Sequence, residues 1–374
     1  MAARVGRALG GAAVAEERLR SQWIEAPGAD WDRCEAELDG AGFPLPFGHR
    51  GLGTACAGPG PWRFLVVHDA GGACSFGAAL REGSSRALPG HRILRVERLG
   101  AAGSEARDAG LAALVERARH APRVLRLEVA TLVRDARDRA ALAGRLELLG
   151  FRPSPAPRLY ADTIVVELEP SEAEILASFH KQTRKNLRRM EREPFEVRPL
   201  ADPAFAERLD RLVAETMART AGPYAREDWG ARLRAAAERP TLSRLVGLFR
   251  QPGSGPEALL AFGWACHHGD HAEYCTTAST RIPGSRLPLT HPLAWDLIRW
   301  AREHGARWFD FGGVSAGGLA SADPLGGISD FKRSFSRQIE TVGSEWVFEP
   351  RPGRARVARA LARARRVLGG GGAG

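Results

Sequence analysis

Residues 291–335, HPLAWDLIRWAREHGARWFDFGGVSAGGLASADPLGGISDFKRSF, constrain the fold more than any other part of this chain. In order they read as an amphipathic helix, a short strand ending at Asp310, a glycine-rich turn and a second helix carrying Lys332. A helix feeding a strand in this way belongs to a sheet with helices packed on its faces. The pattern also sets a single cation beside a flexible backbone turn at the mouth of that sheet. An acyl-transfer site needs charge at such a place for its developing oxyanion. A core helix and strand joined by a solvated loop would give the same local pattern, so the rest of the chain has to decide.

The rest of the chain alternates strands and helices. WRFLVVHD (62–69), CSFGAALRE (74–82) and RILRVERLG (92–100) read as strands, with Gly71 and Gly72 as a hairpin turn between the first two. Trp31–Leu38 is a short helical segment, and Leu111, Leu114 and Val115 fall at helical spacing within 106–120. VLRLEVATLV (124–133) is a strand, followed by the helix RDRAALAGRLELLGF and a proline-rich exit. The second half repeats the scheme. TIVVELE (163–169) is a strand, and the helix over 171–193 opens on Ser171 with Glu174 three residues on, a capping-box signature. FEVRPL is a strand, and FAERLDRLVAETMART and WGARLRAAAE are amphipathic helices. Three consecutive strands occupy 243–280, and EWVFEP is a final strand. Two halves of like order predict a duplicated α/β (α+β) unit, each a mixed sheet flanked by helices. The expected division is a flexible or helical lead (1–25), a first domain (26–160), a second domain holding the site (161–349) and a basic tail (350–374).

A net charge of +10 favours an anionic partner: tRNA, a phosphorylated intermediate or a membrane surface. The five cysteines stand singly with no C-x-x-C pair, so no disulfide framework or zinc site is expected, and a reduced, cytoplasmic protein is the simplest reading. Residues 1–14 do not read as a cleaved signal, and no run approaches the ~20 apolar residues of a membrane-spanning helix.

Two segments are strongly basic. On the helix KQTRKNLRRMER (181–192), Lys181, Arg184, Lys185 and Arg188 share one face, with Arg192 a turn further on. Such a face is either solvated or visited by phosphate. The tail RPGRARVARALARARRVL (351–368) has no acidic residue, and Val357, Leu361 and Leu368 fall roughly on one side. A helix packed on the protein, an RNA-binding arm and a peripheral attachment to anionic lipid at the inner face of the membrane all fit it.

Familiar motifs are missing: no Gly-x-Ser-x-Gly elbow, no Walker-type phosphate loop and no His-Glu-x-x-His. His267, His268, Asp270 and His271 sit at a tight turn, which a surface hairpin explains better than a metal, so no metal site is expected. RIPGSR (281–286) follows a strand and precedes a helix, where acetyl-CoA-dependent N-acetyltransferases place a pyrophosphate loop. Arg281 and Gly284 match that loop, but Arg286 replaces its small last residue and Pro283 removes a donor amide.

Over roughly residues 60–348 the chain resembles the Fem-type (FemABX) aminoacyltransferases, which have two tandem acetyltransferase-like (GNAT-like) domains. Three places carry the resemblance: TIVVELEPSEAEILASFHKQTRKNLRRMERE, the order AEYCTTAST then HPLAWDLIRWAREHGARWFDFGGV, and GISDFKRSFS followed by EWVFEP. No long heptad run marks a coiled-coil arm of the kind found in many family members. The resemblance implies an aminoacyl-tRNA co-substrate, no other cofactor, and an amine acceptor, either a peptidoglycan (muropeptide) precursor or a small molecule or peptide. It implies Lys332 as the cation at the oxyanion or tRNA end, with Phe331 packed beside it. Tyr274 and Tyr224 become substrate ligands, and Arg184, Arg188 and Arg219 supporting anion contacts. Asp310 either orients the incoming amine or caps the turn. The chain is expected to be a monomer. An acyl-CoA-dependent N-acyltransferase on the same scaffold and a non-enzymatic RNA- or membrane-binding module are the competing readings.

Overall fold

The computed structural model describes residues 19–25, 29–38, 62–158, 160–220, 227–315 and 326–369, in two compact units. Most of the expected N-terminal lead, Tyr224, the centre of the glycine-rich turn (316–325) and the end of the tail lie outside the described residues.

The first unit runs β1 (Arg20–Ile24), α1 (Ala29–Leu38), β2 (Trp62–His68), β3 (Cys74–Ser84), β4 (Arg92–Ala101), α2 (Ser104–His120), β5 (Val124–Leu132), α3 (Ala136–Leu148) and β6 (Arg152–Pro153). Residues 20–24, expected within the lead, are instead an edge strand paired antiparallel with β2. The β2–β3 turn forms because Asp69 Oδ1 accepts from the Gly71 and Ala73 amides at 2.8 and 3.0 Å. Cys34 on α1 and Cys74 on β3 are joined by a disulfide, with Cα atoms 5.0 Å apart. The expectation of no disulfide is therefore corrected, and with it the ground for reading a reduced compartment from the cysteines. The two cysteines are 40 residues apart in sequence and meet only because α1 packs on the sheet. Sequence spacing carries no signal for such a pair.

The second unit runs β7 (Asp162–Glu167), α4 (Glu172–Ser178), α5 (Lys181–Met190), β8 (Phe195–Pro199), α6 (Ala206–Thr220), α7 (Trp229–Glu238), β9 (Ser243–Arg250), β10 (Leu259–His268), β11 (His271–Ser279), α8 (His291–Glu303), β12 (Trp308–Gly313), α9 (Gly326–Arg333) and β13 (Ile339–Thr341). The capping box at Ser171 and Glu174 forms as expected. The single helix expected over 171–193 is two. Phe179 and His180 adopt extended backbone angles, and His180 starts α5 by accepting from the Gln182 amide. Burial explains the break: the Phe179 ring is 1% exposed and packs edge-on against Trp295 and Phe335, which a continuous helix would not allow.

The chain then returns to the first unit with β14 (Gly343–Phe348) and α10 (Pro352–Gly369). The strand EWVFEP was expected to close the second domain. It pairs antiparallel with β5 and β6 of the first unit, because Trp346 and Phe348 belong to that unit's apolar core.

Each unit holds one seven-stranded mixed sheet, ordered β1-β2-β3-β4-β5-β14-β6 in the first and β13-β7-β12-β11-β10-β9-β8 in the second. In each, one parallel pair is joined through a helix: β4–α2–β5 and β11–α8–β12. Each parallel pair is then flanked by an antiparallel strand, β14 beside β5 and β7 beside β12. The strand that closes this position in the first unit thus comes from beyond the second unit, while the strand that opens the second unit closes its own.

Candidate active site

The site forms where β11 and β12 separate. Their parallel ladder pairs His271 with Trp308, Ala272 with Phe309 and Glu273 with Asp310, and ends there. Paired residues of neighbouring strands face the same side, so the last rung sets two carboxyl groups next to each other. Asp310 is fully buried. Tyr160, just before β7, places its hydroxyl 3.3 Å from Asp310 Oδ2 and 3.4 Å from Glu273 Oε1, so its one proton is shared between them. Asp310 Oδ1 accepts from the Gly312 amide at 2.6 Å and lies against the Thr163 hydroxyl, which is also 2.9 Å from the Gly312 carbonyl. Burial pushes the Asp310 carboxyl above the usual carboxylate range and the Glu273 carboxylate adds to this, while Thr163 and the Gly312 amide oppose it.

Two glycines make the strand end. Gly312 has a φ of 73°, in the left-handed region, and a Cβ there would stand 3.6 Å from Lys332 Nζ. Gly313 lies so close to Tyr160 that a Cβ would fall 2.4 Å from the Tyr160 Cβ. The sequence therefore needs both glycines: one for its backbone angle, the other to let the tyrosine approach the carboxylates.

Helix α9 clamps this strand end with three contacts. Lys332 Nζ donates to the Gly313 carbonyl at 2.6 Å, Arg333 donates to the Ser315 carbonyl, and the Ser329 hydroxyl accepts from the Ser315 amide at 3.0 Å. Burial pulls the Lys332 ammonium down to about 8, and the carboxylates of Asp310 and Glu273 offset part of that. The result is a half-buried cation at the mouth of a splayed sheet, beside two adjacent carboxyl groups. Such a group can hold negative charge that develops on a carbonyl oxygen, and the carboxyl pair can accept a proton.

The other expected site residues divide. Phe331 packs among the rings of Tyr274, Phe311 and Phe335, next to Lys332 in the chain. Tyr274 is a core residue: it is 8% exposed, its hydroxyl accepts from Thr277, and burial pushes its ionisation far up. Arg184 turns back onto its own chain, donating to the carbonyls of Ala177 and Phe179 at the end of α4. It holds the α4–α5 corner and is taken out of the expected open cationic face. Lys181, Lys185 and Arg188 remain exposed on α5. That helix is docked to the end of α9, since the His180 amide and the Thr183 hydroxyl both donate to the Ser334 carbonyl.

Arg219 lies elsewhere, in a cavity of about 880 Å³ lined with Ser279, Arg281, Ser285 and Arg286 of the loop that leads to α8. Burial and the neighbouring Arg281 cation hold Arg219 below its ordinary value. Two guanidinium groups this close favour an anion between them. The loop's amides offer less. Pro283 has no N–H, the Ser285 amide donates to the Ile282 carbonyl, and Pro292 removes another donor from the first turn of α8.

Sequence reading missed Glu273, Tyr160, Thr163 and His291. Glu273 stands next to Tyr274 in AEYCTTAST, and only the parallel register brings it to Asp310. His291 is wedged against Phe331 and Phe335 and held by Asn186 at 3.1 Å, and burial pushes it down to about 4. In the histidine turn, His271 stacks on Trp308 at 4.3 Å and pairs with Asp270 at 2.9 Å. Among the described residues no group of three or more His, Cys, Asp or Glu side chains is placed to hold a metal ion.

Residues 177–333 match the acetyltransferase (GNAT) domain family, a span that includes every part of the site except Tyr160 and Thr163. No curated protein matches the chain by sequence. Among solved structures, FemX superposes with a TM-score of 0.70 at 15% identity, covering 90% of this chain and 100% of that one. L-PGS from Bacillus licheniformis superposes with a TM-score of 0.55 at 15% identity, covering 90% and 98%. The chain thus shares its two-unit fold with FemX, and its second unit holds an acetyltransferase (GNAT) domain around Lys332 and Asp310.

Proposed function

We propose that this protein is an aminoacyltransferase that moves an amino acid from aminoacyl-tRNA onto an amine, forming an amide bond. The observation that carries the reading is Lys332, a cation held at the Gly312–Gly313 strand end beside the Asp310–Glu273 pair. An aminoacyl ester is already activated, so positioning and charge stabilisation suffice without a covalent enzyme intermediate. The acceptor nitrogen attacks the ester carbonyl carbon, and Lys332 holds the resulting oxyanion. The intermediate collapses by breaking the carbon–oxygen bond to the tRNA ribose. The nitrogen loses a proton to the carboxyl pair, which passes it to the ribose oxygen as that oxygen leaves. The acceptor is a muropeptide precursor or another small amine.

The exposed Lys181, Lys185 and Arg188, together with the Arg219–Arg281–Arg286 cavity, supply phosphate contacts for the tRNA. The same cavity motivates the alternative donor, acyl-CoA. Pro283 has no N–H and the Ser285 amide is already bonded to the Ile282 carbonyl, so two donors of a backbone pyrophosphate cradle are missing there, which supports the tRNA reading. A screen of radiolabelled aminoacyl-tRNAs against amine acceptors, alongside calorimetric titration with acetyl-CoA, tests the choice. Label transfer with no acetyl-CoA binding is expected. Micromolar acetyl-CoA binding with no transfer from any tRNA would replace the proposal with an acyl-CoA-dependent N-acyltransferase.

A further inference from the structure

Helix α10 plays no part in the site just described, and its surface is unusual. Its inner side is fixed to the first unit: Ala355 and Ala358 are buried, and Arg351 donates to the carbonyls of Ala121 and Arg119 at 2.9 Å. Arg354 donates to the Pro122 carbonyl at 2.7 Å, and Arg359 pairs with Glu349. These contacts set the rotation of the helix, so its outer side is defined. That side carries Val357 at 52% exposure and Leu361 at 42%, one turn apart. At about 100° per residue the two share a stripe, bordered by Arg354 on one edge and by Arg356 and Arg363 on the other. No acidic residue occurs anywhere in α10, and Arg356 and Arg363 have no carboxylate partner among the described residues.

An exposed apolar stripe edged by arginines that meet no carboxylate is the pattern of a helix that lies in a membrane interface. We infer that α10 docks the first unit onto an anionic lipid surface, with Val357 and Leu361 entering the headgroup boundary and Arg356 and Arg363 meeting lipid phosphates. RNA would use the arginines but has no use for an exposed Val–Leu stripe, and the outer side offers no aromatic ring for bases to stack on. No helix among the described residues is long and apolar enough to cross a membrane, so the contact is peripheral. This inference does not depend on the transferase reading.

The test is co-sedimentation of the full-length protein with vesicles of phosphatidylcholine, with and without about 30 mol% phosphatidylglycerol. Binding to the anionic vesicles should be at least about tenfold tighter and should weaken as salt rises. Arg356→Glu/Arg363→Glu and, separately, Val357→Ser/Leu361→Ser should each lower it by about fivefold or more, with unchanged circular dichroism and melting. Equal binding to both vesicle types would overturn the proposal. So would anionic binding that survives Val357→Ser/Leu361→Ser while the arginine variant loses only tRNA binding, which would make α10 an RNA surface. A lipid-free dimer that dissociates in the Val357→Ser/Leu361→Ser variant would make the occupant a second copy of the chain instead.

Discussion

Replacing Lys332 with methionine should separate what its charge does for the site from what it costs the fold. The side chain keeps its length and apolar stem but loses the ammonium. In the folded protein that ammonium ionises at about 8, against an ordinary value of 10.5. Between those values the unfolded chain holds the proton and the folded one does not, so this group makes stability rise with pH across that window. Below about 8 both states are protonated and the full penalty of the buried charge applies. For one group with these two constants, the penalty is about 3 kcal/mol near pH 7 and about 1 kcal/mol near pH 10. The difference in unfolding free energy, Lys332→Met minus the parent, should therefore shrink by about 2 kcal/mol from pH 7 to pH 10. Urea denaturation of both proteins at the two pH values measures it, and titrations common to both cancel in the difference. The sign at pH 7 depends also on the lost bond to Gly313 and on Asp310 and Glu273 losing their cation, so the test lies in the change with pH. Parallel pH dependences for the two proteins would refute the claim that Lys332 is a desolvated cation.

Other perturbations have defined outcomes. Gly313→Ala forces a Cβ to within 2.4 Å of the Tyr160 Cβ and should cost about 2–3 kcal/mol in urea unfolding, the scale of overpacking. Tyr160→Phe removes the proton shared by Asp310 and Glu273 and should cost about 1 kcal/mol, since both contacts are long. Arg184→Ala leaves two carbonyls at the α4–α5 corner without that donor and should destabilise by about 1–3 kcal/mol. Arg188→Ala, at an exposed position, should change stability by less than about 0.5 kcal/mol while weakening tRNA binding in a filter assay.

How much of this was legible in the sequence follows from the range of the forces involved. Strands β2 to β5 and β9 to β12, the helices between them and the capping box at Ser171 all rest on local periodicity or neighbouring residues, and they stand where the pattern put them. The resemblance in GISDFKRSFS led to Lys332, because one lysine beside a glycine turn is a short-range signal. What failed to show depends on register or on distant packing. Glu273 becomes a partner of Asp310 only through a parallel ladder whose alignment no local pattern states. Cys34 meets Cys74 across α1 and β3, and EWVFEP reads as an ordinary last strand until its tryptophan and phenylalanine find the first unit's core. The family resemblance implied Tyr274 and Arg184 as ligand contacts. Burial of one and carbonyl partners for the other give both structural roles.

The central claim is that Lys332 stabilises the transition state of an aminoacyl transfer. Its most direct test is the rate of label transfer from aminoacyl-tRNA to an amine acceptor by the parent protein and by Lys332→Ala, with the fold of the variant checked by circular dichroism. The account predicts a loss of about 10²-fold or more, the scale of one oxyanion donor. A folded Lys332→Ala variant that turns over at the parent's rate would contradict it.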